Sequence, residues 1–301
     1  MVSTSDRAKS ILRGGFDIHA HTGPGLFPRI ADSFEAAQQA ASYGMRGIVL
    51  KNHHSMSSDR ATLVGKIVPE IGVYGGVVLN RYVGGINPHA AEAAVRLGGK
   101  IVWMPTQWAQ HHLDAYGAPE YHHMKHAAKA TGQALPVTGV TVLDEKGELT
   151  EEARQVLGVI ASADVALGTA HLAKKEIQIL VRAAKAAGVK RIVINHITLN
   201  ELWDWSIEEQ KALIRDGALI EHVAIFCMKN RFLIEPRKVA ELIDGVGCEN
   251  VVIASDCGQM KNPPPADAMH LFLSQLLDVG MAPKALETMV RTNPARVLGL
   301  E

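Results

Sequence analysis

The chain has 301 residues, 47% of them hydrophobic and 21% charged, which is enough to bury a core without disulfides, a membrane or a partner chain. Lysine plus arginine and aspartate plus glutamate each number 31, so no net field draws the protein toward nucleic-acid phosphates or an anionic membrane surface. Three cysteines (Cys227, Cys248 and Cys257) lie outside any CxxC pair, the first thirteen residues are polar, and no apolar run reaches ~18 residues; a cytoplasmic protein with no structural zinc knot is the expectation.

Taken in chain order, short runs rich in Val, Ile and Leu alternate with Ala-rich stretches of helical period, the pattern of parallel strands covered by helices. The predicted strands are Phe16–His19, Gly47–Lys51, Val73–Leu79, Lys100–Met104, Val165–Thr169, Arg191–Asn195, Ala218–Ala224 and Val251–Ser255. Helix signals lie between them: Asp32-Ser33 opens Phe34–Tyr43 with Gly44 beyond it, and Asn87-Pro88 opens His89–Leu97 with Gly98 beyond it. Further stops fall at Gly188 and Gly217. Eight strand–helix units in one domain spanning residues 1–301 predict an α/β fold, a (β/α)8 TIM barrel. The connection between the fourth and fifth strands is too long for one crossover and must hold an insertion. Within it, Pro136–Leu149 reads as a hairpin turning at Asp144-Glu145-Lys146-Gly147, and the His-rich stretch Gln107–His126 reads as a lid over the barrel mouth.

In such a barrel the reactive groups come from the C-terminal ends of strands. The first predicted strand runs into His19-Ala20-His21; alternate residues of an extended strand face the same way, so both imidazoles can reach one ion. A lone HxH is weak evidence. The fifth strand, however, leads to His171, the sixth to His196 and the eighth to Asp256, so four apolar strands all lead into ligand-capable residues. The joint pattern predicts a divalent-metal site, with zinc first and manganese second, holding one or two ions.

This ordered set resembles the amidohydrolase superfamily, including phosphotriesterase-like and TatD-like enzymes. The resemblance runs over nearly the whole chain and is strongest in Val165–His171, from Glu176 through His196, and at Asp256. It implies a metal-dependent hydrolase of an uncharacterised branch. Many binuclear members take a bridging carboxylated Lys or Glu from strand four, where this chain has Trp103-Met104-Pro105-Thr106-Gln107. Some branches draw the bridge from strand two instead, and that strand ends here in Lys51, a candidate carbamate. Lys51 as an ammonium facing an anionic substrate, or as a plain surface lysine, are the competing readings.

The expected reaction is attack by a metal-bound hydroxide on an amide, lactone or other ester-like bond of a small molecule. Asp256 would move the proton and His222 or Lys51 would support the oxyanion, with burial of His222 in the core of the seventh strand the equal alternative. Arg81, whose planar fork suits a substrate carboxylate or equally a structural Asp or Glu, His54 and Glu221 are the candidate substrate contacts. His53, at the same rim as His54, could supply a ligand or a substrate contact, while the cluster His111, His112, His122, His123 and His126 lacks tight ligand spacing apart from possible helical neighbours such as His122 and His126 and reads as a lid or solvated face. Two rivals stand beside the hydrolase: a metal-dependent decarboxylase or hydratase acting on a small carboxylic acid, and a non-catalytic ligand-binding barrel. Leu271-Phe272-Leu273 on a covering helix reads either as core or as the contact of a homo-oligomer.

Overall fold

A computed structural model describes residues 3–117 and 135–301. Among the described residues nine strands run in parallel: β1 (Phe16–His21), β2 (Gly47–Lys51), β3 (Gly72–Tyr74), β4 (Gly76–Val78), β5 (Ile101–Trp103), β6 (Ala166–Gly168), β7 (Arg191–Ile194), β8 (Ala218–Val223) and β9 (Val251–Ala254). They pair in chain order within two ladders, β1-β2-β3 and β4 through β9.

The third expected strand, Val73–Leu79, is broken at Gly75 into β3 and β4. A β-carbon on Gly75 would collide with the Ser57 carbonyl, and one on Gly76 with the Ile101 carbonyl, so neighbouring backbone passes where only glycine leaves room. The break keeps both neighbours: Tyr74 pairs with Val49 of β2, and Gly76 pairs with Ile101 of β5. At the other seam Asp256 N–H donates to the His19 carbonyl (2.8 Å) and His21 N–H to the Cys257 carbonyl (2.9 Å). These bonds close a ring of eight strands, with the two short pieces counting as one, and the architecture is the TIM-barrel α/β fold.

Nearly every strand position is buried, as expected of parallel strands packed inside and out, and Trp103, Phe16, Ile18, Ile48 and Leu50 are among the largest fully buried side chains. The helices start where their caps stand. Ser33–Ser42 opens on a capping box, with Glu35 N–H bonded to Asp32 Oδ1 (2.9 Å) and Asp32 N–H bonded to Glu35 Oε2 (2.8 Å). Pro88–Arg96 opens on Asn87, whose side chain accepts from His89 N–H at 3.1 Å. Among the described residues no helix is long and apolar enough to cross a membrane.

The insertion departs from its expected shape. Only the turn of the hairpin forms: Gly147 N–H donates to the Asp144 carbonyl (2.9 Å), and Leu143 and Leu149 make a single antiparallel bridge. The first arm is diverted, because Val140 bridges in parallel to Ala109 and accepts from Gln110 N–H at 2.9 Å. Of the His-rich stretch, Gln110–Tyr116 is a helix; His122, His123 and His126 lie outside the described residues.

Candidate metal centre

Parity along β1 carries His19 and His21 to one side at the C-terminal rim. Their Nε2 atoms meet the same oxygen, Asp256 Oδ1, at 3.2 and 2.9 Å. Donor atoms of these three residues all lie within 4.8 Å of one another, a group able to hold a metal ion. His196 follows β7, with its ring 5.7 Å from that of His19, and His171 follows β6, with its Nε2 3.2 Å from His196 Nε2. His19, His21 and Asp256 thus form one donor group, and His171 and His196 form a pair beside it, the five residues being drawn from four strand ends. Lys51, at the end of β2 and almost fully buried, sets Nζ 3.0 Å from His19 Nε2 and 5.3 Å from the centre of the Trp103 ring.

The other nitrogens of three of these rings are held from behind, while His196 Nδ1 has no partner among the described residues. His19 Nδ1 lies 3.1 Å from Glu221 Oε2, His21 Nδ1 is 3.2 Å from the Lys51 carbonyl, and His171 Nδ1 is 2.7 Å from His112 Nδ1. Fixing one imidazole nitrogen against an outer acceptor orients the other toward a cation, the arrangement in which histidine ligands are held. Glu221 is the hub: its Oε2 also accepts from Asn195 Nδ2 (3.1 Å) and from His196 N–H (2.9 Å).

Three positions at the rim carry left-handed backbone without being glycine: Ala170 (φ 50°), His196 (φ 35°) and Asp256 (φ 51°). Such a conformation costs of order 1–3 kcal/mol and persists only where the surroundings impose it. Each residue's N–H is tied to an interior acceptor: Ala170 to Asn195 Oδ1 (3.0 Å), His196 to Glu221 Oε2, and Asp256 to the His19 carbonyl. The strain turns His171, His196 and Asp256 off their strands and toward the centre.

Electrostatics follow from burial and from two carboxylates. Burial pushes the imidazoles of His21 and His196 down to about 3, and that of His171 well below its ordinary value, so these rings are neutral donors at neutral pH. His19 is the exception. Burial and Lys51 oppose its protonation, yet the carboxylates of Asp256 and Glu221 flanking it raise it to about 9. The site thus favours a cation at its centre. Glu221 is held down at about 2 against the effect of burial, by His19 above all, and burial lowers Lys51 to about 8.

The centre opens into a cavity of about 730 Å³. His19, His21, Lys51, His171, His196 and Asp256 all line it, as expected of them. The other expectations are corrected. Glu221 is not on the cavity wall: it is fully buried beneath His19 and positions that ring. Its neighbour His222, expected to support the oxyanion, faces the opposite side of β8; it is fully buried and absent from the cavity wall, with no hydrogen bond from either nitrogen among the described residues. Arg81 is not at the mouth, because its guanidinium binds the carbonyls of Thr138 and Gly139 at 3.0 Å each and anchors the insertion. His54 is withdrawn beside Tyr82 and Phe27, and His53 takes the wall position, stacked on His21 at 4.6 Å. Sequence reasoning places His53 at this rim but does not single out His112 as a wall residue, because insertion histidines carry no ligand spacing. It missed Arg29, also on the wall, because nothing local marks it.

The chain belongs to a family of unknown function (DUF6282), which matches residues 14–221 and so includes the first four histidines of the centre but not Asp256. No curated protein matches it. Among solved structures it is similar to an amidohydrolase from Pseudomonas aeruginosa at 14% identity and a TM-score of 0.59, with 99% of this chain and 98% of that one covered. It is similar to the probable dipeptidase PvdM from Pseudomonas aeruginosa at 11% identity and a TM-score of 0.66, with 98% of each chain covered. It is also similar to a 2,6-dihydroxybenzoate decarboxylase, solved with 2,6-dihydroxybenzoate, at 12% identity and a TM-score of 0.56, with 96% and 100% covered. The fold is the one these amidohydrolase-superfamily proteins share.

Proposed function

We propose that the chain is a metal-dependent hydrolase of small molecules that cleaves an amide, lactone or other ester-like bond. One observation carries the reading: the ε-nitrogens of His19 and His21 meet the carboxylate of Asp256 on the cavity wall with His171 and His196 paired beside them, while the δ-nitrogens of three of these rings are held by outer partners. A mixed nitrogen and oxygen donor set suits zinc first and manganese second, and Lys51, with Nζ 3.0 Å from His19 Nε2, would add a ligand oxygen if carboxylated. A divalent ion there would supply Lewis acidity and lower the pKa of a water molecule toward ~7.

The chain's own groups do the rest. Asp256, kept ionised by His19 and His21 despite its burial, accepts one proton as the water oxygen adds to the substrate carbonyl carbon. It returns that proton to the departing nitrogen or oxygen as the carbon–heteroatom bond breaks. Glu221 holds His19 and the backbone of His196 in register, and the apolar wall formed by Phe27, Leu199, Ile225 and Phe226 keeps bulk water from the reacting bond.

The second reading, decarboxylation of a small carboxylic acid, is favoured by one feature, the cationic side chains Arg29, Lys51, Arg231 and Lys261 on the cavity wall. Its support among structural neighbours is the dihydroxybenzoate decarboxylase. The test is to load purified protein with zinc or manganese, measure ions per chain, and screen lactones, amides and esters for acid release and carboxylic acids for carbon dioxide release. Hydrolysis that depends on the added ion and disappears in Asp256→Asn is the expected result. Carbon dioxide release with no hydrolysis would replace the first reading with the second.

A further inference from the structure

On the wall facing the imidazoles stands Arg29, in the loop that follows β1. Its backbone is tethered on both sides: Ile30 N–H donates to the Gly258 carbonyl at 2.9 Å, Gly23 N–H donates to the Ala31 carbonyl at 2.9 Å, and Arg29 itself bridges antiparallel to Gln259. Asn52 secures the turn of the loop through the Pro24 carbonyl at 3.1 Å. The guanidinium is thus delivered to a fixed place beside the centre rather than left on a free loop.

Asp256 attracts the charge on Arg29 without pairing with it directly. Among the described residues its side chain makes no hydrogen bond and no ion pair. Asp256 is the one carboxylate among the described wall residues, and its Oδ1 is occupied by two imidazoles. Arg231, by contrast, is neutralised by Glu201 at 2.8 Å. Burial lowers Arg29 only to about 10, so it remains a cation at neutral pH. The guanidinium stands on the cavity wall with no protein partner among the described residues, so its planar fork is open to an anion that enters the cavity.

We propose that Arg29 is the specificity residue of this cavity and that it binds a carboxylate of the substrate through its planar fork, with the apolar part of an organic acid lying along Phe27, Ile225 and Phe226. The proposal rests on reading the cavity as the active site and narrows that reading to organic acids. Arginine rather than lysine suits the purpose, since two parallel N–H donors match two carboxylate oxygens. The role expected of Arg81 thus falls to a different arginine, because Arg81 is committed to the insertion.

The test is calorimetric titration of the zinc-loaded protein with benzoate and 3-phenylpropionate, each against its primary amide, for wild type, Arg29→Gln and Arg29→Lys. Metal content and melting temperature are measured on the same samples. At least one acid should bind tighter than its amide. Arg29→Gln should weaken that acid tenfold or more, with the amide and the metal content unchanged, and Arg29→Lys should recover only part of the loss. Two results overturn the proposal: neither acid preferred over its amide in wild type, or acid affinity equal in wild type and Arg29→Gln. Failure of the metal-site reading is recorded separately, as a chain that takes up no zinc.

Discussion

Glu221→Gln removes one charge and almost no volume from beneath the centre, which makes it the sharpest probe of how the imidazoles are held. In wild type, Oε2 of Glu221 lies within 3.1 Å of three nitrogens, His19 Nδ1, Asn195 Nδ2 and the His196 backbone nitrogen. A neutral amide oxygen accepts these bonds more weakly, and its NH2 end can accept none of them. Losing the charge assistance should cost about 2–4 kcal/mol of stability, given that hydrogen bonds to charged groups contribute roughly 1.5–3 kcal/mol each and that partners are left unmet in a fully buried site. Released from Glu221, His19 should also lose part of the pull that, together with the larger one from Asp256, raises it to about 9. Loss of an outer partner of a histidine ligand lowers metal affinity by about 10–100-fold. The assay is competition for zinc against a chelator, paired with urea unfolding of the metal-free protein. Wild-type zinc affinity in a correctly folded Glu221→Gln would refute the role given to this carboxylate.

Further outcomes follow from the same geometry. Asp256→Asn should lower hydrolytic turnover at least ~100-fold while circular dichroism and melting remain near wild type, since general acid–base groups contribute about that much; unchanged turnover removes Asp256 from proton transfer. His222 is held at about 4 by burial against an ordinary 6.5, so its neutral form is the folded one. Stability from this group is complete above about pH 6.5 and is lost as pH falls toward 4, up to about 3 kcal/mol. Urea midpoints at pH 7.5 and 5 should therefore separate less in His222→Leu than in wild type, and equal separations would contradict the assignment. Arg81→Ala should leave the Michaelis constant unchanged and cost about 1–2 kcal/mol through the two lost bonds to the insertion; a large rise in that constant with stability intact would return Arg81 to the substrate.

Much of the centre was readable before any coordinates because of where the apolar runs stop. A strand such as Arg191–Ile194 can bury only so many residues, and the first ligand-capable side chains beyond it, Asn195 and His196, are delivered to the rim whatever the helices do. The choice between Glu221 and His222 was not readable. β8 is buried along its whole length, so no polar alternation marks which of two adjacent residues faces the centre; only its register against β7 and β9 decides. The break at Gly75 depends on carbonyls contributed by Ser57 and Ile101, which no local pattern around the glycine reveals. Arg81 and Arg29 differ only in what surrounds them: one meets two carbonyls of the insertion, the other an open cavity. His112 reaches His171 from a helix whose place the sequence does not specify.

The central claim is that this cluster holds a divalent ion, and crystallography of the zinc-loaded chain at the zinc absorption edge tests it most directly. The account predicts anomalous density at the cavity floor, within ~2.0–2.2 Å of Nε2 of His19 and His21 and of a carboxylate oxygen of Asp256. Density bound elsewhere on the chain, or none at that floor in protein equilibrated with zinc, would contradict it.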